Sequence, residues 1–198
     1  MLAFHRTTVT KSALLKQLRG HARADEIVKG KYWQDGKGCA VGCTVHGSSH
    51  ALYESMFGIP QMLARLEDCI FEGLPNAQAQ TWPIRFIEAV TVGSDLSVVG
   101  WKFLYWLLTD QTVNPGITDP AVSASVHGAA TLIGKLARGE AISASAARSA
   151  AESAARSAES AAWSAMSAAR RAVRGAESAA YVLMSKKLLS LIKAERKS

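Results

Sequence analysis

The residues from 36 to 54 concentrate more reactive side chains than an ordinary connecting loop. The stretch GKGCAVGCTVHGSSHALYE contains four glycines, two cysteines and two histidines. Cys39, Cys43, His46 and His50 follow the spacing C-x3-C-x2-H-x3-H. Thiolate and imidazole are common tetrahedral ligands of zinc. One hypothesis is therefore a zinc site formed by these four residues, with zinc as the cofactor, although the close spacing requires a very tight loop.

An open metal site is a variant of this hypothesis. His21, Asp25 and Glu54 are the additional ligand candidates. A helix through residues 10–29 places His21 and Asp25 on one face, since they are four residues apart.

A cysteine nucleophile is the second hypothesis. Cys43 or Cys39 lies on a glycine-rich segment, and His46, His50 or His21 is the candidate base. A thiol near an imidazole becomes a nucleophile when its pKa is lowered. This alternative corresponds to a small hydrolase or metal enzyme, with Cys43, His46 and His21 as the catalytic candidates.

Binding of an anionic ligand is the third hypothesis. Glycines free backbone amides to approach a phosphate or carboxylate, and a lysine supplies positive charge. The ligand-binding candidates are Lys37, Gly38, Cys39, Gly42 and Cys43. The spacing is not that of a P-loop. A purely structural interpretation stays open beside these three, because buried cysteine often acts as a small apolar residue and glycine often only permits close packing.

The composition narrows the classes of partner. The chain has 198 residues, 48% of them hydrophobic, and a formal net charge of +7. This charge favours anionic partners, but arginines alternate with glutamates in the C-terminal tract, so nucleic acid is a weaker expectation. The N-terminus lacks the apolar core of a signal peptide, and no segment is long enough to span a membrane. We expect a cytoplasmic protein with reduced thiols and no membrane partner.

Local sequence signals before residue 140 predict a series of helices and one non-helical segment. Apolar spacing predicts a helix over 10–29. The segment 31–45 contains an Asp-Gly turn signal and favours a small hairpin or an irregular loop over a helix. If the stretch from 36 to 54 is purely structural, the helix over 61–73 is expected to expose its carboxylates and to bury its apolar residues and one cysteine. The expected exposed set is Glu67, Asp68 and Glu72, and the expected buried set is Leu63, Leu66, Cys69, Ile70 and Phe71.

The C-terminal tract is built from Ser-Ala units. Between Arg148 and Tyr181 the bulky or charged residues recur every 3.67 residues on average, which places them on one stripe of a helix. A helix over 141–195 would be about 80 Å long and offers mostly alanine and serine for packing. We therefore predict two parts: a helical domain over 1–140, and a helical tail over 141–198 that assembles chains into a homo-oligomer. The fold class is mostly α.

Several motifs carry a resemblance to a known family. The motifs are GKGCAVGCTVH (36–46), LARLEDCIFEGLP (63–75), VGSDLSVV (92–99) and the Ala/Ser tract. Together they resemble a family of uncharacterised proteins encoded by phages and bacterial mobile elements. The resemblance implies an accessory role and no particular activity. The resulting expectation is a phage accessory protein that acts in the host cytoplasm by binding an anionic small molecule or a host protein, with a counter-defence or host-modulating role, and not by turnover.

Overall fold

The fold is mostly α-helical, as the sequence predicts. The computed structural model describes residues 2–5, 7, 9–110, 120–143, 145 and 174–195. These residues form nine helices and one two-stranded sheet. In chain order the elements are α1 (Lys11–Arg23), β1 (Trp33–Gln34), β2 (Lys37–Gly38), α2 (Ala40–Val45), α3 (Leu52–Phe57), α4 (Gln61–Gly73), α5 (Asn76–Ala79), α6 (Trp82–Ala89), α7 (Val99–Thr109), α8 (Pro120–Ala137) and α9 (Arg174–Ala194).

The chain divides into two compact units. The first is Met1–Ser97 together with Ser178–Ser198, and the second is Val98–Glu177. The predicted parts, 1–140 and 141–198, are a different division of the chain: here α7 and α8 belong to the second unit and most of α9 to the first. Helix α9 is the described end of the predicted tail helix; residues 146–173 of the Ser-Ala tract lie outside the described residues.

Helix α1 is shorter than its apolar spacing predicts. The Thr10 hydroxyl accepts a hydrogen bond from the backbone N–H of Ala13 at 3.2 Å and so caps the first turn. The helix ends at Arg23 and not at residue 29. The reason is tertiary: the Glu26 carbonyl accepts from Gly38 N–H at 3.0 Å, and Val28 N–H donates to the Gly38 carbonyl at 2.8 Å. This pairing takes the backbone beyond Arg23 out of the helix.

The Asp-Gly signal marks a true hairpin turn. Trp33 pairs with Gly38 and Gln34 with Lys37, which leaves a two-residue loop of Asp35 and Gly36. Both loop residues have positive φ, 52° and 77°. Positive φ at both positions is typical of the hairpin turn that Asp-Gly favours. The hairpin prediction is confirmed for this part of the segment.

The prediction of hairpin or loop is wrong for residues 40–45, which form helix α2. Gly38 and Gly42 lie against the backbone carbonyl of Tyr32. A Cβ atom on Gly38 would stand 1.9 Å from the Tyr32 oxygen, and one on Gly42 would stand 1.3 Å from it. These glycines therefore serve a close backbone approach that no short-range pattern reveals.

Helix α2 lies in the interior of the first unit, where it packs against α1, α4, α6 and β2. Its residues Ala40 to Thr44 are all buried. Helix α9 reaches the same unit through its last turns, where Leu188 and Ile192 are fully buried. The first unit thus closes around a short helix that carries the reactive stretch.

Helix α4 buries a different face from the one predicted. Leu63, Ile70 and Phe71 are buried as expected. Cys69, however, is exposed, and Glu67 is fully buried. Both expectations are wrong. Glu67 is buried because α4 packs against α2, α3 and α6, so that its buried face extends beyond one apolar stripe. Nothing in the packing of α4 explains the exposure of Cys69.

In the second unit, α7 and α8 pack against each other. Phe103 is fully buried, and its ring lies 5.6 Å from that of Trp106. Among the described residues, the helices all fall short of the length or the apolarity needed to cross a membrane.

A matched pair of glycine substitutions tests the close approach of α2. Gly42→Ala should lower the free energy of unfolding by about 3 kcal/mol or more, because the methyl group meets a backbone oxygen that cannot move alone. Gly20→Ala is the control: Gly20 lies within α1 with nothing within 4 Å of the added Cβ. It should raise the free energy of unfolding by roughly 0.5–1 kcal/mol. Urea denaturation of both variants measures this, and equal effects would contradict the packing described.

Candidate functional site

The two ends of α2 present different chemistry. Cys39 is the N-cap of the helix and His46 its C-cap. The Cys39 N–H donates to the Lys31 carbonyl at 2.6 Å and so fixes the start of the helix to the chain before the hairpin. At the other end, the carbonyls of Cys43 and Thr44 accept from the Gln17 side-chain amide at 2.7 and 3.1 Å. Each end therefore meets its own set of neighbours.

A thiol–carboxylate cluster lies at the N-terminal end of α2. It consists of Cys39, His50, Asp68 and Glu72. The Cys39 Sγ and one oxygen each of Asp68 and Glu72 lie within 4.8 Å of one another. His50 Nε2 is 3.1 Å from Asp68 Oδ2, and both side chains are about 15% exposed. Gly30 N–H donates to the Glu72 carboxylate at 3.0 and 3.1 Å.

The second oxygen of Asp68 has no hydrogen-bond partner. Asp68 Oδ1 is buried and makes no hydrogen bond. A buried carboxylate oxygen without a donor is energetically costly. Asp68 also interacts with the Tyr32 hydroxyl and the Cys39 thiol, and this interaction contributes to the raised pKa of each.

Neither loop cysteine is an activated thiolate. Burial raises the pKa of Cys39 to about 12, and the Asp68 carboxylate adds to this increase. Burial also raises the pKa of Cys43 to about 12, with the Glu26 carboxylate contributing. The Cys43 thiol donates to the Gly38 carbonyl, with Sγ 3.3 Å from the oxygen. Both thiols stay protonated at neutral pH unless a metal ion replaces the proton.

An imidazole pair lies at the C-terminal end of α2. His21 Nε2 and His46 Nε2 are 2.9 Å apart. His21 Nδ1 lies 2.5 Å from Glu26 Oε2. The Trp33 ring stacks on His46 with centroids 4.4 Å apart, and its edge meets the His21 ring at 5.4 Å. Burial and the neighbouring His21 lower the pKa of His46, which favours the neutral imidazole.

A buried carboxyl group connects α4 with the core. Glu67 is fully buried. Its Oε2 accepts from the Tyr53 hydroxyl at 2.6 Å, and its backbone carbonyl accepts from Trp82 Nε1 at 3.0 Å. Burial raises the pKa of Glu67 to about 8, and the charge of Asp68 adds to this.

The structure divides the four predicted zinc ligands between two places. Cys39 and His50 both belong to the cluster around Asp68. Cys43 donates to backbone carbonyls, and His46 faces His21 at the other end of the helix. Across the part of the chain that is described, the one group of three or more candidate ligand atoms is Cys39 with the two α4 carboxylates.

In the open metal site, His21 was expected beside Asp25, but it lies beside a different carboxylate. His21 is paired with Glu26, because α1 ends before Asp25, whose φ of 56° turns the chain. Glu54 instead accepts a hydrogen bond from the Gln61 backbone N–H at 2.9 Å.

The catalytic candidates are only partly brought together. His21 and His46 are in contact, but the Cys43 thiol donates to the Gly38 carbonyl and not to an imidazole. Neither Cys39 nor Cys43 is therefore an activated thiol of the kind that the cysteine-nucleophile hypothesis requires.

Three of the five anion-binding candidates have their amides engaged in backbone hydrogen bonds. Gly38 N–H donates to the Glu26 carbonyl, Cys39 N–H to the Lys31 carbonyl and Cys43 N–H to the Cys39 carbonyl. The nearest side-chain cluster carries two carboxylates, which repel an anion. Lys37 is exposed on the hairpin.

Sequence reasoning missed the acidic partners of both clusters. Asp68 and Glu72 were expected on a solvated face, and Glu26 was not singled out. A signal existed for two of them: Asp68 and Glu72 are four residues apart and share a helix face. No local signal connects that face with Cys39.

Comparison with protein-family models, with curated proteins and with solved structures gives no match for this chain. The chemistry of the two clusters therefore rests on their own geometry.

The buried carboxyl group gives a pH-dependent stability. Because the folded state holds the Glu67 proton more tightly than the unfolded state, this group stabilises the fold below about pH 4.5 and loses that contribution as the pH rises to about 8. Glu67→Gln keeps an acceptor for Tyr53 and removes the titration. The free energy of unfolding should then fall less between pH 5 and 8 than in the unmodified protein.

Denaturant titrations at several pH values measure this slope. Glu54→Gln, which changes an exposed carboxylate of α3, is the control and should leave the slope as it is. An unchanged slope in Glu67→Gln would show that Glu67 does not titrate in this range.

Proposed function

We propose that this protein acts by binding a divalent transition-metal ion such as zinc at the thiol–carboxylate cluster. One observation carries the proposal: the Cys39 sulfur and an oxygen each of Asp68 and Glu72 converge within 4.8 Å. Zinc accepts sulfur at about 2.3 Å and carboxylate oxygen at about 2.0–2.2 Å. Three such ligands around one ion need only small side-chain movements from this arrangement.

The two carboxylates of the cluster support a cation as its ligand. The thiol beside them stays protonated without a metal ion, because its pKa is raised to about 12, so metal binding must supply the free energy to remove that proton. A bound divalent ion displaces the thiol proton and compensates the carboxylate charges. It also gives Asp68 Oδ1 the partner that it otherwise lacks.

The partners around the ligands support the same proposal. His50 is hydrogen-bonded to Asp68, and Gly30 N–H to Glu72. Such outer-shell hydrogen bonds orient carboxylate ligands and are typical of protein metal sites. His50 belongs to this outer shell. Of the four ligands predicted from the spacing, Cys39 is the one that the proposed site uses.

The accessory role is the second part of the proposal. We propose a phage or mobile-element protein with a counter-defence or host-modulating role, acting through binding to a host protein. Its support is the resemblance carried by the motifs at 36–46 and 63–75. These two motifs contain Cys39, Asp68 and Glu72, so the segments that carry the resemblance also supply the metal ligands.

Cobalt binding tests the metal site. Co²⁺ replaces zinc in such sites, and a bound thiolate adds a sulfur-to-cobalt charge-transfer band in the near ultraviolet. The unmodified protein should show this band at one Co²⁺ per chain, and Cys39→Ser should abolish it. Asp68→Asn should weaken binding by more than the roughly 10–100-fold that loss of an outer-shell partner costs.

The other two cysteines provide matched controls. Cys43→Ser alters a buried thiol of the same helix, and Cys69→Ser alters an exposed thiol of α4. Both variants should keep the band. A band that survives Cys39→Ser, or disappears in Cys43→Ser, contradicts the proposed ligand set, and circular dichroism melting shows which variants are folded.

Assembly of chains through residues 141–198 remains a proposal. Its support is the regular stripe of the Ser-Ala tract, whose small side chains permit close helix pairing at about 8 Å. The last turns of α9 are already occupied within the first unit, since Leu188 and Ile192 are fully buried. The proposed pairing is therefore assigned to the tract before α9.

Native mass spectrometry of the full chain tests this assembly. We expect a homo-oligomer whose subunits separate under denaturing conditions. A monomer at micromolar concentration would contradict the proposal. The same spectrum, recorded after zinc loading, also gives the number of ions retained per chain.

A further inference from the structure

The imidazole pair is a second place where ligand atoms converge. His21 lies in the last turn of α1, and His46 ends α2 with a φ of 49°. Their Nε2 atoms are 2.9 Å apart although 25 residues separate them in the chain. The His46 side of the pair is open to solvent, while the His21 side chain is 13% exposed.

The separation of the two nitrogens is close to that of two ligands on one ion. Imidazole nitrogen binds zinc at about 2.0–2.1 Å, so two nitrogens on one ion are about 2.9 Å apart at a right angle and about 3.3 Å apart at the tetrahedral angle. The observed 2.9 Å is the length of a hydrogen bond between the two nitrogens, and the ring centroids, 5.1 Å apart, show that the nitrogens meet head-on. An ion in place of the bridging hydrogen requires the nitrogens to move apart by about 0.4 Å, to the tetrahedral spacing. Imidazole nitrogen binds Zn²⁺, Cu²⁺ and Ni²⁺, and of these Cu²⁺ is generally bound most tightly.

Glu26 sets the tautomer that such a site requires. Its Oε2 lies 2.5 Å from His21 Nδ1, so that Nδ1 carries the proton and donates it to the carboxylate. His21 Nε2 then accepts the hydrogen bond from His46 Nε2–H, and an ion bound between the rings takes the place of that hydrogen while the His46 proton moves to Nδ1. A carboxylate behind a histidine ligand is a recurrent outer-shell arrangement in metal sites, since it orients the ring and raises its basicity.

Trp33 holds the second ring in place. Its indole stacks on His46 with an angle of 24° between the planes, and meets His21 edge-on at 74°. Both imidazoles are thereby restricted in rotation, which lowers the entropic cost of binding an ion.

We propose that His21 and His46 form a second metal site that takes a divalent ion with a preference for imidazole nitrogen, Cu²⁺ or Ni²⁺, with Glu26 as the outer-shell partner of His21. The site is distinct from the thiol–carboxylate cluster. Cys39 and His46 cap opposite ends of α2, seven residues apart, which corresponds to about 10 Å at 1.5 Å per residue.

The ligand sets of the two sites also differ. The cluster at Cys39 offers sulfur and oxygen, whereas the imidazole pair offers nitrogen alone. A thiolate ligand suits zinc, whereas a set of imidazole nitrogens also binds Cu²⁺ and Ni²⁺. The two sites are therefore expected to separate these ions by ligand type.

Titration of a variant that lacks the first site tests the proposal. Full-length Cys39→Ser protein is titrated with Cu²⁺ or Ni²⁺ by calorimetry, and Trp33 fluorescence is followed in parallel because bound Cu²⁺ quenches an adjacent indole. We expect one ion per chain and quenching that is lost in Trp33→Phe. His21→Ala and His46→Ala, each made in this background, should abolish the event. Glu26→Gln should weaken it by roughly 10–100-fold.

Two other histidines give matched controls. His127→Ala changes an exposed histidine of α8, and His5→Ala changes one near the N-terminus. Both should bind as the parent does. If binding is the same in His21→Ala, His46→Ala and these controls, the proposal is overturned, and a lowered melting temperature in the first two would then identify a structural hydrogen bond.

The two proposals fail separately. If the unmodified protein shows no cobalt charge-transfer band, only the site at Cys39 is overturned. Absence of Cu²⁺ and Ni²⁺ binding in Cys39→Ser protein that melts normally would overturn only the imidazole pair.

Discussion

The contact between helix α2 and the backbone carbonyl of Tyr32 determines the geometry of the first unit. The Tyr32 oxygen occupies the space that side chains at positions 38 and 42 would fill. The adjacent Lys31 carbonyl accepts from Cys39 N–H at the start of the helix. A six-residue helix has little stability of its own, so this contact, together with packing by α1, α4 and α6, holds it in place. Both ends of α2, and hence both candidate sites, depend on that placement.

Helix α4 combines two roles that are usually separate. One side supplies Leu63, Ile70 and Phe71 to the core, and with them the buried carboxyl group of Glu67. The cost of burying that group is reduced in two ways: the Tyr53 hydroxyl donates to it, and its raised pKa allows it to remain protonated over more of the pH range. The next residue, Asp68, begins the acidic side that faces Cys39. The core and the proposed zinc site thus share one helix and consecutive residues.

The two proposed sites differ in the way that their ligands are held. At the Cys39 end, the ligands come from α2 and α4, whose mutual packing fixes their separation. At the His46 end, the ligands come from the last turn of α1 and the C-cap of α2, and the ring of Trp33 on the hairpin restricts both. The hairpin turn at Asp35 and Gly36 therefore affects the imidazole pair as well as the direction of the chain, because it brings Trp33 over the two imidazoles.

The sequence by itself determined the features that depend on neighbouring residues. The Asp-Gly turn, the mostly helical content and the unusual chemistry of the stretch from 36 to 54 can all be read from the sequence, because turn formation and helical periodicity act within a few residues. Only the tertiary structure decided that 40–45 is a helix, since Gly42 within it and Gly38 before it meet a carbonyl that no local pattern identifies.

The tertiary structure also decided the partners of the reactive side chains. It placed Glu67 in the core, separated Cys39 from His46, and joined His21 to His46 across 25 residues. These outcomes depend on which helices pack together, and the free energy of that packing is shared among side chains distributed over the whole unit. Spacing within one segment could therefore propose ligands, but the assignment of each ligand to a site required the packed fold.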